Sequence, residues 1–356
     1  MGPDPTPWPD DASVPRGRAA TVRDVARIAN VSVATVSRVL NGKATVAEGL
    51  RAVVERVSRE LGYTPHAAAR ALATQRLSTI GAIVPTLHET NFSAGVNALQ
   101  RRLNAAGYTL LLGSTNYDPE EEVRQVRALL AHGIAGLMLV GGRHRPEVYD
   151  LLSSRGVPFV NTWVLDATHP SVGFDNHAIG RTLVDYLYDL GHRDFGAIVQ
   201  QSRRSDRATL RVAGMRGALQ ARGGEALQLR LIGNSHNIVA GQRAFQALME
   251  SDRRPTAVIC GTDTLAFGAL VQARSMGVRV PEDVSITGIN DVEFAAYLTP
   301  PLTTIRLPAE QVGEHAAERL LACIRGQAVA RHTAIAFTLV IRQSTAARRE
   351  GGISRS

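Results

Sequence analysis

The stretch TVRDVARIANVSVATVSRVLNG, residues 21–42, decides how the rest of the chain is read. Thr21 is a good helix N-cap with Asp24 three residues on, and Val22, Val25, Ala26 and Ala29 fall on one helical face. Ser32 caps a second helix whose inner face is Val36, Val39 and Leu40, and Asn41-Gly42 closes it. Asn30 and Val31 alone separate the two helices. A turn that short makes them cross steeply, which is helix-turn-helix geometry. The second helix then turns Val33, Ala34, Thr35, Ser37 and Arg38 outward. Arg38 can fork onto a guanine edge, and the methyl groups of Val33 and Ala34 can pack on thymine methyls. The same periodicity would serve any three-helix bundle, so the pattern leaves both readings open.

Charge points the same way without deciding it. Between Thr21 and Leu77 nine basic and four acidic side chains leave +5, more than half of the net +8 carried by all 356 residues. Such an excess permits a polyanionic partner, but it is as often a solvated surface.

Outward from this segment the chain divides. Residues 1–20 are rich in Pro, Asp and Gly without periodicity and read as a disordered leader, with neither the apolar core nor the charge order of a signal peptide. A third helix carries Leu50, Val53, Val54, Val57 and Leu61 and ends at Gly62, which closes an all-α domain over 21–63. Residues 64–77 are a linker in which Pro65–Thr74 is alanine-rich, a helix too short to survive alone in water. From 78 to 345 short apolar strands alternate with amphipathic helices. The strands expected are 80–84, 109–113, 136–140, 157–160, 195–199, 257–260 and 284–288. The helices expected are 92–106, 120–132, 178–190, 210–222, 239–250 and 265–276. Repeats of this kind build parallel sheets covered by helices. Seven units exceed one comfortable sheet, so two lobes are expected, with a ligand between them beyond the carboxyl ends of the strands. Residues 346–356 form a short basic tail without heptads, which favours a dimer over a coiled-coil tetramer.

VRDVARIANVSVATVSRVLNG, followed by RELGYTPHAAARALAT, closely resembles the lactose- and galactose-repressor family of bacterial regulators, and the likeness runs from Thr21 to about Thr345. The resemblance implies an N-terminal helix-turn-helix domain, a hinge helix, and an α/β two-lobed core of periplasmic-binding-protein type. Its lobes would comprise about 78–176 with 305–334, and 177–304 with 335–345. It further implies a ligand-responsive regulator, by family norm a repressor of a carbohydrate or sugar-acid operon, that binds double-stranded operator DNA as a homodimer. Activation uses the same parts and remains the alternative. Position by position, Val33, Ala34 and Arg38 match the family's base readers, while Thr35, Ser37 and Asn41 fall where it contacts phosphates and shapes the turn. Leu72 matches the leucine that wedges into the minor groove from paired hinge helices and kinks the operator at its centre. His66 replaces a more usual asparagine. The third helix also departs from the pattern: Ala47-Glu48-Gly49-Leu50 stands where Ser-Glu-Glu-Thr is usual. The lost cap and the added glycine should each cost about 1 kcal/mol, with Thr45 a candidate substitute cap.

In the core, the resemblance assigns Phe92, Trp163, Arg211, Thr262 and Asn290 to the effector pocket. Sugar-binding relatives carry aspartate where Trp163 and Asn290 stand and asparagine where Thr262 stands. With both carboxylates gone, Arg211 favours an effector with an anionic group, a sugar acid rather than a sugar. Trp163 can stack on an apolar ring face. Arg203, Arg204 and Arg207 nearby read as surface residues.

Other classes find less support. There is no nucleophile elbow, no metal-spaced His/Cys/Glu cluster and no glycine-rich phosphate loop, so neither an enzyme nor a cofactor is expected. His132, His177, His192 and His315 read as ordinary surface or satisfied residues. Cys260 and Cys323 make no disulfide framework, and no run of eighteen apolar residues offers a membrane span. A secreted solute-binding protein would share the core but not the helix-turn-helix. The expected compartment is therefore the cytoplasm, at the nucleoid.

Overall fold

A computed structural model of the chain describes residues 18–40, 46–63, 77–200, 205–224, 226–233 and 237–348. Asn41, Leu72, His66, Thr45, Arg203 and Arg204, all named above, lie outside the described residues. The chain forms two compact units, Met1–Ser78 and Thr79–Ser356.

The first unit holds three helices, α1 (Val22–Ile28), α2 (Val33–Leu40) and α3 (Glu48–Glu60). Its core is Val25, Ala26 and Ala29 of the first helix region, Val36 and Val39 of the second, and Val54 and Val57 of the third. Thr21 caps α1 in a reciprocal capping box with Asp24. Arg18 also pairs with Asp24 at 3.0 Å. The α1–α2 turn is a Schellman motif. Asn30 stands in the left-handed region (φ 51°), its amide donates to the Arg27 carbonyl, and the Val31 amide donates to that of Ala26. Asparagine tolerates this conformation better than any residue but glycine. Ser32 caps α2 through the Thr35 amide at 3.0 Å. At α3 the N-cap is Ala47, without a side-chain hydrogen bond, and the candidate cap Thr45 falls outside the described residues.

The second unit consists of two six-stranded sheets. The first has the order β11-β5-β4-β3-β1-β2 and contains β1 (Thr79–Val84), β2 (Thr109–Ser114), β3 (Gly136–Val140), β4 (Phe159–Thr162), β5 (Ser171–Gly173) and β11 (His332–Ala334), all parallel. The second has the order β12-β10-β9-β8-β6-β7. It contains β6 (Phe195–Gln200), β7 (Gln228–Ile232), β8 (Ala257–Cys260), β9 (Ser285–Asn290), β10 (Thr303–Arg306) and the antiparallel β12 (Thr338–Val340). The chain crosses between the lobes after β5, after β10 and after β11. The second crossing follows Arg306, because β10 still pairs with β9 through that residue, and not Thr304 as the sequence boundary had it. The expected tail also starts later, since Ala346 and Arg348 donate backbone bonds to Ser285 and Leu190.

Helices pack in close pairs, each crossing at glycines. The pairs are α4 (Thr90–Ala105) with α11 (Ala309–Ile324), α7 (Asn176–Asp189) with α8 (Asp206–Ala221), and α9 (Ile238–Met249) with α10 (Asp263–Ser275). Between α7 and α8, a Cβ on Gly180 would lie 2.0 Å from the Arg211 carbonyl oxygen, and one on Gly214 2.0 Å from that of His177. The two backbones therefore touch, leaving no room for any side chain at the crossing. Two glycine-to-alanine changes should consequently have opposite signs. Gly180→Ala should destabilise the core by about 3 kcal/mol through overpacking against backbone. Gly49→Ala, where a Cβ meets nothing within 4 Å, should raise the stability of the helical unit by about 0.5–1 kcal/mol. Thermal melts of the two variants beside the parent test both signs.

Candidate functional sites

The first site is a helix face. Val33 (43% exposed), Ala34 and Arg38 are exposed on α2, while Val36 and Val39 of the same helix are fully buried. Thr35 and Ser37 are half-buried, and the Thr35 hydroxyl lies 2.9 Å from that of Ser32. Val33 and Ala34 occupy the first turn of α2 and Arg38 lies one turn further on, so three side chains of different chemistry project beyond the packed helices. A helix end with a guanidinium and two small apolar groups is the size and chemistry that a major groove admits.

The second site is a cleft between the two sheets, at the carboxyl ends of their strands. All five expected pocket residues line it: Phe92, Trp163, Arg211, Thr262 and Asn290. Phe92 lies in the first turn of α4 and Trp163 follows β4. Thr262 precedes α10, Asn290 ends β9, and Arg211 lies in the second turn of α8. Trp163 is 1% exposed and meets Phe92 edge-on, with ring centroids 5.2 Å apart. It holds φ 59°, and its ring packs so tightly on Gly95 that a Cβ there would fall 2.6 Å away. Asn290 also has positive φ (123°). Strained backbone at two cleft positions is the kind of cost that concentrates at functional sites. Thr262 turns its hydroxyl to its own helix, accepting from the Leu265 amide at 3.3 Å.

Arg211 is held from two sides within the second lobe. Its Nε donates to Asn176 Oδ1 at 2.9 Å and its Nη1 to the Gly261 carbonyl at 3.3 Å. Burial, reinforced by the neighbouring charge of Arg207, brings its pKa down to about 10, so it stays protonated at neutral pH. Asn176 in turn donates to the Trp163 carbonyl at 2.9 Å and the Phe174 carbonyl at 3.2 Å. One amide side chain, 1% exposed, thus joins two cleft-lining residues that lie far apart in the sequence.

Arg207 corrects the sequence reading. It is 6% exposed, not a surface residue. Its guanidinium lies 5.7 Å from the centre of the Phe92 ring and pairs with Asp206 at 3.1 Å. No periodicity marks this, because the apolar pattern of α8 is weak where its first turn enters the cleft. Tyr117, Glu89 and Gln200 also line the cleft without having been foreseen. Burial, then the carboxylate of Glu89, raises the Tyr117 hydroxyl pKa well above its usual value, so it stays a neutral donor. Burial alone would raise Asp206, but the Arg207 charge and the Gly142 amide keep it below the usual carboxylate range. Two buried donors on residues that line the cleft, Trp163 Nε1 and Gln200 Nε2, have no hydrogen-bond partner among the described residues. Unpaired buried donors are costly, so an acceptor-rich occupant would relieve both.

Among the described residues no group of His, Cys, Asp and Glu could hold a metal, and no helix is long and apolar enough to cross a membrane. His192 is buried and satisfied, between the Thr256 hydroxyl and the Ala346 carbonyl.

A DNA-reading helix on one unit and a ligand cleft in a periplasmic-binding-type core on the other define a ligand-responsive transcription regulator. Comparison with known proteins makes the assignment specific. Residues 21–66 match the model for bacterial regulatory proteins of the lacI family, and residues 184–345 that for a periplasmic binding protein-like domain. The ribose operon repressor of Haemophilus influenzae is 34% identical over 309 residues, covering 86% of this chain and 92% of its own length. The regulator GntR of Pseudomonas aeruginosa is 36% identical over 330 residues, covering 91% and 95%. The crystal structure of the Lac repressor dimer bound to operator and an anti-inducer superposes with a TM-score of 0.83 at 28% identity, over 93% of this chain and all of that one. The chain belongs to the lacI family of bacterial regulatory proteins.

Asn176 carries a testable load within this site. Asn176→Ala should cost the core about 3 kcal/mol in urea titration, because it strips Arg211 of an acceptor and leaves two buried carbonyls unpaired. Asn176→Asp should not rescue it, since a carboxylate would face the Trp163 and Phe174 carbonyls. Wild-type stability in the Asp variant would show that only the acceptor half matters.

Proposed function

We propose that this protein is a dimeric repressor in the cytoplasm, released from or recruited to its operator by a small anionic effector, a sugar acid, bound in the cleft. The observation that carries the effector half is the convergence of N–H groups. Arg207 and Arg211 line one cavity with Trp163 and Gln200, whose Nε1 and Nε2 have no partner among the described residues. The acids nearby are engaged, Glu89 with Tyr117 and Asp206 with backbone amides. Arginine forks match carboxylate geometry, which a neutral hydroxyl cannot exploit to the same degree.

The operator half rests on Val33, Ala34 and Arg38 as base readers, with Thr35, Ser37 and Asn41 on phosphates. Leu72 serves as the minor-groove wedge between paired hinge helices, favouring a pseudo-palindromic site with a flexible central pyrimidine–purine step. That a relative of closely similar fold is crystallised as a dimer on its operator supports both the partner and the stoichiometry.

Two experiments test the halves separately. In gel shifts across operator variants, Arg38→Ala should lose about 1–3 kcal/mol of preference at one guanine per half-site, whereas removal of Arg51, a basic side chain on α3 that would touch only phosphate, should weaken all sequences alike and flatten the salt dependence. Equal behaviour of the two variants would remove Arg38 from the base readers. In calorimetry, a sugar acid should bind at least about tenfold tighter than the matching neutral sugar, or roughly 1.4 kcal/mol. Arg211→Ala should abolish the response to it while effector-free operator binding survives. A neutral sugar that binds tighter would overturn the anionic reading and leave the regulator intact.

A further inference from the structure

Beside the effector cleft the two lobes meet through a carboxylate. Asp206 is the first residue of α8, in the second lobe. Its Oδ2 accepts from the Gly142 amide at 2.6 Å and the Arg143 amide at 3.2 Å, both in the first-lobe loop that follows β3. Its Oδ1 accepts from its own helix, the Arg207 amide at 2.8 Å, and from Arg207 Nη1 at 3.1 Å. The side chain is 13% exposed, so these bonds are made largely out of water.

The receiving loop is built to hold its shape. Tyr149 donates to the Gly142 carbonyl at 3.1 Å. The His144 ring bonds the Gly141 carbonyl through Nε2 at 3.1 Å and Glu122 through Nδ1 at 2.9 Å. Gly141 has φ 100°, and a Cβ there would lie 2.8 Å from Arg207 Nη1 and 3.0 Å from Asp206 Oδ1. Two consecutive amides aimed at one anion, behind a left-handed glycine, make a backbone nest. Here the anion comes from the opposite lobe. Arg207, the partner of Asp206, lines both the effector cleft and the neighbouring cavity at the loop. The contact therefore lies beside the effector cleft and shares a wall with it.

We infer that Asp206 is a clasp between the lobes: its charge-assisted bonds to the Gly142 and Arg143 amides favour the closed cleft before any effector arrives. Opening the lobes strips a buried carboxylate of two donors, a penalty paid only by the open state. Asp206 thereby sets the resting balance of open and closed cores, and with it the apparent affinity of whatever the cleft accepts, since a ligand binds in proportion to the competent fraction. The inference rests on the cleft being the effector site, but its test needs no effector.

Amide hydrogen exchange, read by mass spectrometry on the effector-free full-length protein, separates a clasp from a local bond. In Asp206→Ala the amides of Gly142 and Arg143 must exchange faster under either account. A clasp predicts in addition that cleft-lining segments remote from Asp206 in each lobe, 162–164 and 261–265, exchange at least about fivefold faster. Acceleration confined to 141–143, or none, overturns the clasp. Should Asp206→Ala lose its melting transition, Asp206→Asn keeps the volume and one acceptor but not the charge, and the same segments must accelerate, though less. Failure here leaves the effector reading untouched, and failure of the sugar-acid titration leaves the clasp standing.

Discussion

Gly180 and Gly214 allow the backbones of α7 and α8 to touch, and the geometry of the effector cleft hangs on that contact. With Cβ atoms at these positions the helices would have to separate by well over an ångström, because each would meet a carbonyl oxygen at 2.0 Å. The crossing sets His177 and Gly180, in the first turns of α7, against Gly214 and Arg211 of α8. Asp206, Arg207 and Arg211 therefore enter the cleft from one helix, and Asn176 reaches Arg211 Nε from the other. Arg211 itself supplies the carbonyl under which Gly180 fits. The arginine that lines the cleft is also part of the packing that positions it.

Two arginines side by side in a nearly buried site would be prohibitive without compensation. The structure supplies it piecemeal: Asp206 for Arg207, and Asn176 with the Gly261 carbonyl for Arg211. Among the described residues, Trp163 Nε1 and Gln200 Nε2 on the cleft wall remain without a partner.

The helical unit achieves stability differently. It has a small core, and its termini carry much of the definition: a capping box at Thr21, a Schellman turn at Asn30 and a hydroxyl cap at Ser32. Those devices fix the angle at which α2 leaves α1, hence the direction in which Val33, Ala34 and Arg38 project. α3 lacks a side-chain cap at Ala47 and carries Gly49, so its position depends on Val54 and Val57 packing into the core.

Much of this was legible in the chain itself. Caps, turns and one-face apolar spacing are local, so Thr21, Asn30-Val31, Ser32 and the face of Val36 and Val39 could be read without a fold. The strand-helix rhythm likewise shows β1, β3, β6, β8 and β9, whose apolar runs are buried on both faces, the largely exposed edge strand β2 through its three leucines, and β4 displaced by two residues. It missed β5, β10, β11 and β12, strands of three or four residues, two of them at sheet edges where pairing and not composition makes the strand. It missed β7, whose partly exposed run Gln228–Ile232 alternates with charge, and α11, whose alanine-rich face matches α4 only in space. The five pocket positions were legible by resemblance, yet their partners were not. Asn176 bridges Trp163 and Arg211, and Asp206 reaches the amides of a loop 64 residues away, through contacts that no spacing in the sequence encodes. Sequence determined the local elements because their hydrogen bonds close within four or five residues. Only the tertiary structure decided which buried charges meet, because that depends on where two glycine-lined helices cross.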